Sequence, residues 1–473
     1  MRRALLAALP LALGLVLAAC WPLSAYALGP VVLPSLVVVF VVGVLMLSRP
    51  ELGLAFVLAI APFTNLRYGG ALGIGKPIQL ILPALVFGLF GYGLLIAPLR
   101  AAGAPRRLPG DDLLPISLLG FVAVGLVSAL NAIDPASSIR KLFLLITAVA
   151  LGFGVMQFCR QNCQLIVIVA GAVVGLLLAS LQGLAQHFLG LSNSPGFVYQ
   201  GHFVARIQGS FGHPNQYAAY LAFLIPLAVA CVLSRSLPST IRWLGATATF
   251  AAVPALAYSY SRGAILALVL GSLVWLAVLR PRLAAAAAAL VAVLAVLLAP
   301  PALQERFSPH GAASEVPLRT DIWGAAIDIY SQHPLLGVGI GNFATAYKSL
   351  PSTLANASQR RLLNQSGLLI PPHAQNLYLN VLAEEGVVGL GVLVLFGFAA
   401  FRITYRGSRL SDPAGRAIAV ALGAGLATIA IHSIIEVTLI SELSLPLVAL
   451  LAVVWTSLAV KRTDQPPRHG SVS

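Results

Sequence analysis

Residues 165–185, LIVIVAGAVVGLLLASLQGLA, run without a single charged side chain, and similar runs recur along most of the sequence. An α-helix rises about 1.5 Å per residue, so about 20 apolar residues cross the roughly 30 Å hydrocarbon core of a bilayer. Inside that core every backbone N–H and C=O must find a partner within the protein, which limits spanning structures to helices and closed barrels. Runs of this length predict an all-α polytopic integral membrane protein. Composition agrees, because 59% of the 473 residues are hydrophobic and only 9% are charged, against about 25% charged in soluble domains.

Reading the apolar stretches between charges predicts spans near 4–27, 31–47, 51–63, 78–97, 113–131, 139–158, 164–188, 216–234, 241–259, 263–279, 283–299, 386–402, 417–435 and 443–459, about 12–14 transmembrane helices in all. The chain then divides into N-terminal spans (1–299), one large loop with amphipathic helices (300–385), and C-terminal spans with a short tail (386–473). MRRALLAALPLALGLVLAACW at the N-terminus has the basic start and apolar stretch of a signal peptide, with a lipoprotein-like LAAC. Ahead of so many further spans it is expected to stay as the first of them.

The net charge of +15 does not point to nucleic acid, because Lys and Arg are scattered in short clusters without interleaved aromatic residues. They read as topology determinants. With Arg2 and Arg3 in the cytoplasm, Arg49, Arg100, Arg106, Arg107, Arg160, Arg235, Arg242, Arg280, Arg282, Arg402, Arg406, Arg409, Arg416, Lys461, Arg462 and Arg468 all fall inside, as the positive-inside rule requires. Arg67, Arg206, Arg262, Arg306, Arg319, Arg360 and Arg361 fall on the opposite face and need a partner or a ligand. Cys20, Cys159, Cys163 and Cys231 give no disulfide framework.

The outer loop is too long for a simple connection. Within it, LRTDIWGAAIDIYSQHP predicts an amphipathic helix on or near the membrane surface, capped at Thr320 and stopped at His333-Pro334. The glycines of LLGVGIGNF (Gly337, Gly339, Gly341) follow no strand and precede no lysine, so they predict a tight re-entrant turn and not a phosphate loop. After Pro371-Pro372, the residues His373, Asn376, Asn380 and Glu384 recur at helical spacing and predict one polar stripe facing a cavity. A histidine in the first turn of that helix is kept neutral by the dipole and suits a general base; the other reading is a histidine that caps the helix or bonds the loop. Arg206 precedes Pro214 and Asn215 at one span start, Arg262 opens another, and Arg319 opens the amphipathic helix. Together these guanidinium groups suit forked binding of a phosphate, although each alone could snorkel to lipid headgroups. The eight histidines show no metal-ligand spacing and no nucleotide-binding motif is present, so no cofactor or metal is expected.

Four segments, RIQGSFGHPNQYAAYLAFLIPLA, SRGAILAL, RTDIWGAAIDIYSQHPLLGVGIGNF and HAQNLYLNVLAEEGVVGL, in this order over residues 200–400, resemble the O-antigen ligase and polymerase superfamily of bacterial envelope glycosyltransferases. The commonest form of the last motif has Asn directly after His, whereas Ala374 and Gln375 intervene here. The resemblance implies a bacterial inner-membrane enzyme with its large loop and active site in the periplasm, a polyprenyl diphosphate-linked glycan as donor, and a glycan or glycolipid acceptor. His373 would be the base, with Arg206, Arg262, Arg319, Asn215 and Asn376 binding substrate. Ligase, polymerase and protein O-oligosaccharyltransferase activities are not separated by these motifs. A small-anion transporter is the alternative of another class, disfavoured by the absence of an evident internal repeat.

Overall fold

The computed structural model describes residues 49–64, 86, 113–159, 161–191, 196–199, 202–280, 282, 316–350, 371–439 and 441–463. The predicted spans 4–27, 31–47 and 283–299, almost all of 78–97, and Arg67, Arg306, Arg360 and Arg361 lie outside the described residues.

The protein is an all-α polytopic membrane protein. Its described helices are α1 (Pro50–Ile60), α2 (Leu113–Ala129), α3 (Pro135–Phe158), α4 (Asn162–Phe188), α5 (Pro214–Leu233), α6 (Ser239–Tyr258), α7 (Arg262–Leu279), α8 (Val316–Gln332), α9 (Phe343–Ser349), α10 (Leu377–Gly407), α11 (Pro413–His432) and α12 (Ser441–Thr463). Among the described residues, seven helices are long and apolar enough to cross a membrane. Every predicted span within those residues coincides with a helix. A small antiparallel hairpin, β1 (Phe197–Tyr199) with β2 (His202–Val204), precedes α5.

The helix starts follow from sequence chemistry. Asp134 accepts from Ala136 N–H and Ser137 N–H ahead of Pro135, and Asp412 accepts from Ala414 N–H and Gly415 N–H ahead of Pro413. In both cases the cap satisfies orphan donors while proline occupies a position that needs none. Size then decides which face packs. On α7 the small residues Ala264, Ala267 and Gly271, with Trp275, are buried, whereas Leu266, Leu270, Val274 and Val278 are about half exposed. The buried face meets α11 so closely that a Cβ on Gly271 would lie 2.4 Å from Thr428 N. Close approach over small residues is how helices gain packing where lipid tails are as apolar as leucine. Buried share grades the helices accordingly, from 22% of the α7 window at the periphery to 83% of the α12 window at the centre.

The segment between α7 and α10 corrects two expectations. The helix predicted to start at Thr320 begins at Val316 and ends, as predicted, before His333-Pro334. Its Ile322, Ala326 and Ile329 face packs on Val338, Phe343, Ala346, Ala374 and Ala383, so the stripe expected to lie toward the membrane surface is spent on protein contacts. The glycine-rich segment is a tight turn with Gly337, Gly339 and Gly341 all at positive φ.

That turn fits into a break in α10. Gly386 has φ 68° and ψ −166°, a conformation only glycine adopts readily. Beyond the break, Val387 N–H donates to the Pro334 carbonyl at 2.9 Å, and before it Val338 N–H and Gly339 N–H donate to the Ala383 and Glu384 carbonyls, each at 3.0 Å. The turn thus replaces the helix bonds that Gly386 interrupts. Non-helical backbone in a membrane protein is tolerated where it is buried in protein or lines a water-filled cavity.

Candidate functional site

The segment before α10 starts as an extended turn. Helix α10 begins at Leu377 with Asn376 as its N-cap, the Asn376 side chain accepting from Leu379 N–H at 3.1 Å. Asn380 Oδ1 accepts from Ala374 N–H at 3.1 Å, and Glu384 accepts from Gly341 N–H at 2.9 Å and Phe343 N–H at 3.0 Å. The predicted stripe holds in that His373, Asn380 and Glu384 line one cavity, and is corrected in its register. His373 precedes the helix and does not sit in its first turn, and the Asn376 and Glu384 side chains are committed to capping backbone. Leu377 N–H donates to the Ser433 carbonyl at 2.9 Å, which fixes the His373 segment to the end of α11.

That contact brings in Glu436, a residue the sequence reading missed. The His373 Nε2 lies 3.5 Å from Glu436 Oε1, with the histidine side chain 19% exposed and the carboxylate 4%. Glu436 Oε1 also accepts from Val437 N–H at 3.1 Å, and Oε2 accepts from Asn215 Nδ2 at 3.1 Å. Asn215 Oδ1 accepts in turn from Arg206 Nη2 at 2.7 Å and Ser261 Oγ at 3.1 Å. Arg206 Nε donates to the Ser259 carbonyl at 2.8 Å. A guanidinium only donates and a carboxylate only accepts, so the Asn215 amide has one orientation that closes this chain.

The structure thus joins three of the expected residues, Arg206, Asn215 and His373, through Glu436. Arg206 is buried, and its bonds to Ser259 and Asn215 make it a strut of the network. Arg319, half-buried in α8, lies near enough for its charge to act on His213. Arg262 opens α7 between Ser261, which bonds Asn215, and Gly263, which packs on Ile435. Asn376 stands apart as a helix cap. A signal for Glu436 existed in IHSIIEVTLISE, a carboxylate beside His432 between two apolar runs; such groups are costly near hydrocarbon and tend to be kept for function.

Burial lowers the His373 pKa below its ordinary value, with Glu436 and Glu384 opposing the shift and Lys141 adding to it. The shift favours the neutral ring expected from sequence, with desolvation and not a helix dipole as its main cause. His213, whose Nδ1 accepts from Asn215 N–H at 3.2 Å, is lowered to about 4, mainly by burial. Burial would raise Glu436, yet His373, His213, His432 and the Val437 N–H outweigh it and hold the carboxyl below its ordinary value.

His373 lines a cavity of about 510 Å³ between α2, α3, α10 and α12. Lys141, Gln216, Asn380 and Glu384 are among its polar residues, and Phe121, Leu393 and Phe396 are among its apolar ones. Glu436 is not in the wall and stands behind the imidazole. The arrangement offers a histidine whose neutral form burial favours to an amphiphilic space, backed by a carboxylate and a guanidinium.

Residues 247–394, from within α6 to within α10, match the family model described as O-antigen ligase. The matched stretch contains Arg262, Arg319, His373 and Asn376, while Arg206, Asn215 and Glu436 flank it. A search of curated proteins found no match. The chain is a multi-pass membrane protein, and the match over residues 247–394 supports the O-antigen ligase superfamily and a glycan-processing function of ligase or polymerase type.

Proposed function

We propose that the protein is an inverting glycosyltransferase of the bacterial inner membrane, acting at the periplasmic face. It moves a glycan from a polyprenyl diphosphate to a hydroxyl of an acceptor, either lipid A-core or a growing polysaccharide. The observation that carries this reading is His373, cavity-facing and backed by Glu436, within the stretch that matches the O-antigen ligase family.

In this reading the acceptor oxygen attacks the anomeric carbon while His373 takes the hydroxyl proton, and the bond to the diphosphate oxygen breaks with its electron pair. Arg319 and Arg262 neutralise the departing diphosphate, which removes the need for a metal ion. Arg206 contributes its positive charge from behind Asn215. The polyprenyl chain lies along the apolar wall of the cavity, and membrane lipid surrounds the spans.

The test is restoration of a deletion strain with wild-type protein or His373→Ala, reading lipopolysaccharide and secreted polysaccharide on gels. Wild type restores the glycan ladder, and the variant, present in the membrane at equal amount, does not. An intact ladder with His373→Ala would overturn the reading; unchanged glycans in the deletion strain together with altered anion uptake would favour transport.

A further inference from the structure

His373 has its two ring nitrogens in different surroundings. Gln375, one of two non-glycine residues at positive φ among those described (φ 49°), turns its N–H back onto His373 Nδ1 at 3.2 Å. A backbone N–H can only donate, so Nδ1 carries the lone pair and the proton of the neutral ring sits on Nε2. Nε2 faces Glu436 Oε1 at 3.5 Å, longer than a well-formed hydrogen bond of about 2.7–3.2 Å. The resting ring therefore holds one engaged lone pair and one loosely held proton.

Resting on the glycosyltransferase reading above, we propose that Glu436 is a positioning residue for the transfer. Its carboxylate keeps the His373 proton on Nε2, leaves Nδ1 to take the acceptor's proton, and holds the imidazolium that results. Nδ1 has one lone pair, so the Gln375 N–H releases it as the acceptor hydroxyl comes in to donate there, and the protonated ring moves toward Glu436, closing the gap. The acceptor O–H bond breaks as the new C–O bond forms, the diphosphate leaves with its electron pair, and the proton on Nδ1 is later returned to water or to the diphosphate. Asn215, pinned by Arg206 and Ser261, keeps the carboxylate from turning away. The same logic, a carboxylate that orients an imidazole and stabilises its cation, operates in hydrolytic triads.

The charged and titratable groups around the pair are Lys141 and Glu384 near His373, and His213 and His432 near Glu436, with Arg319 acting on the last two. The carboxylate's charge favours protonated His373, so removing it lowers the pH at which the base becomes available.

The experiment uses purified full-length protein added to membranes of a deletion strain, with the lipid-linked glycan accumulated there as donor, and reads initial ladder formation from pH 5 to 9. Glu436→Gln is expected to lower the maximal rate about 10²- to 10⁴-fold, as neutralising a triad carboxylate does. The half-saturating donor concentration stays within about threefold and the acid limb moves to lower pH, while Glu436→Asp keeps the limb and recovers at least roughly tenfold over Glu436→Ala. A rate within about threefold of wild type for Glu436→Gln, or an unmoved limb, would overturn the inference. If the amide variant does not insert, equal rates for the Asp and Ala variants overturn it instead. His373→Ala is the control that separates the two levels. Full activity there sinks the parent reading, whereas an inactive His373→Ala beside an active Glu436→Gln sinks only the role of Glu436.

Discussion

Replacing Glu384 by alanine tests the claim that this carboxylate, which lines the cavity beside His373, also holds the turn at 334–343 in place. Its side chain, 6% exposed, accepts from Gly341 N–H at 2.9 Å and Phe343 N–H at 3.0 Å. Hydrogen bonds to a charged group contribute about 1.5–3 kcal/mol each, and donors left unpaired in a buried site keep their desolvation cost. Loss of both bonds therefore costs roughly 3–6 kcal/mol, concentrated in the turn at 334–343 that braces the break in α10. At about 1.4 kcal/mol per factor of ten, amide hydrogen exchange in a peptide covering 340–349 should speed up on the order of 100-fold or more. Glu384→Gln retains one acceptor oxygen and should lie between wild type and alanine. Mass-spectrometric exchange on detergent-solubilised protein measures both. Exchange within about threefold of wild type in Glu384→Ala, or a Gln variant indistinguishable from alanine, would refute the capping argument.

Three further outcomes are expected. Gly386→Ala places a Cβ 2.2 Å from the Leu335 carbonyl oxygen at φ 68°; the strained backbone alone costs about 1–3 kcal/mol, and the variant should lose thermal stability and show faster exchange at 334–339. Stability should also fall with acid. His213 is lowered from 6.5 to about 4, so its contribution is complete above pH 6.5 and is lost as pH drops toward 4, on the order of 3 kcal/mol. His213→Asn, which keeps a capping acceptor, should flatten that limb in pH-dependent melting, and an unchanged limb counts against the assignment. Asn376→Ala should cost about 1 kcal/mol of stability while Asn376→Ser recovers most of it, a pattern a substrate-binding role would not produce.

The motif residues divide by how far their partners lie along the chain. Asn376 and Asn380 were readable as polar positions, but three-residue periodicity does not distinguish a helix interior from the cap just before it. His373 was therefore placed a turn too deep, and its neutrality was given the wrong cause. Arg206 and Asn215 were recognised because arginine and asparagine are rare beside apolar runs. Their shared acceptor was not, since Glu436 is 221 positions from Asn215.

The sequence by itself determined that this is a membrane protein and where the described spans run. Those properties are sums over neighbouring residues, the transfer cost of a stretch of side chains. What lies around a helix was another matter. On α7 both faces are apolar, and only packing against α11 turned Ala264, Ala267 and Gly271 inward and left Leu266, Leu270, Val274 and Val278 outward. Only the tertiary structure joined the ends of α5, α7, α10 and α11 so that Arg206, Asn215, Glu436 and His373 satisfy one another. A buried charge must find its partner in space, and no local pattern says which distant loop supplies it.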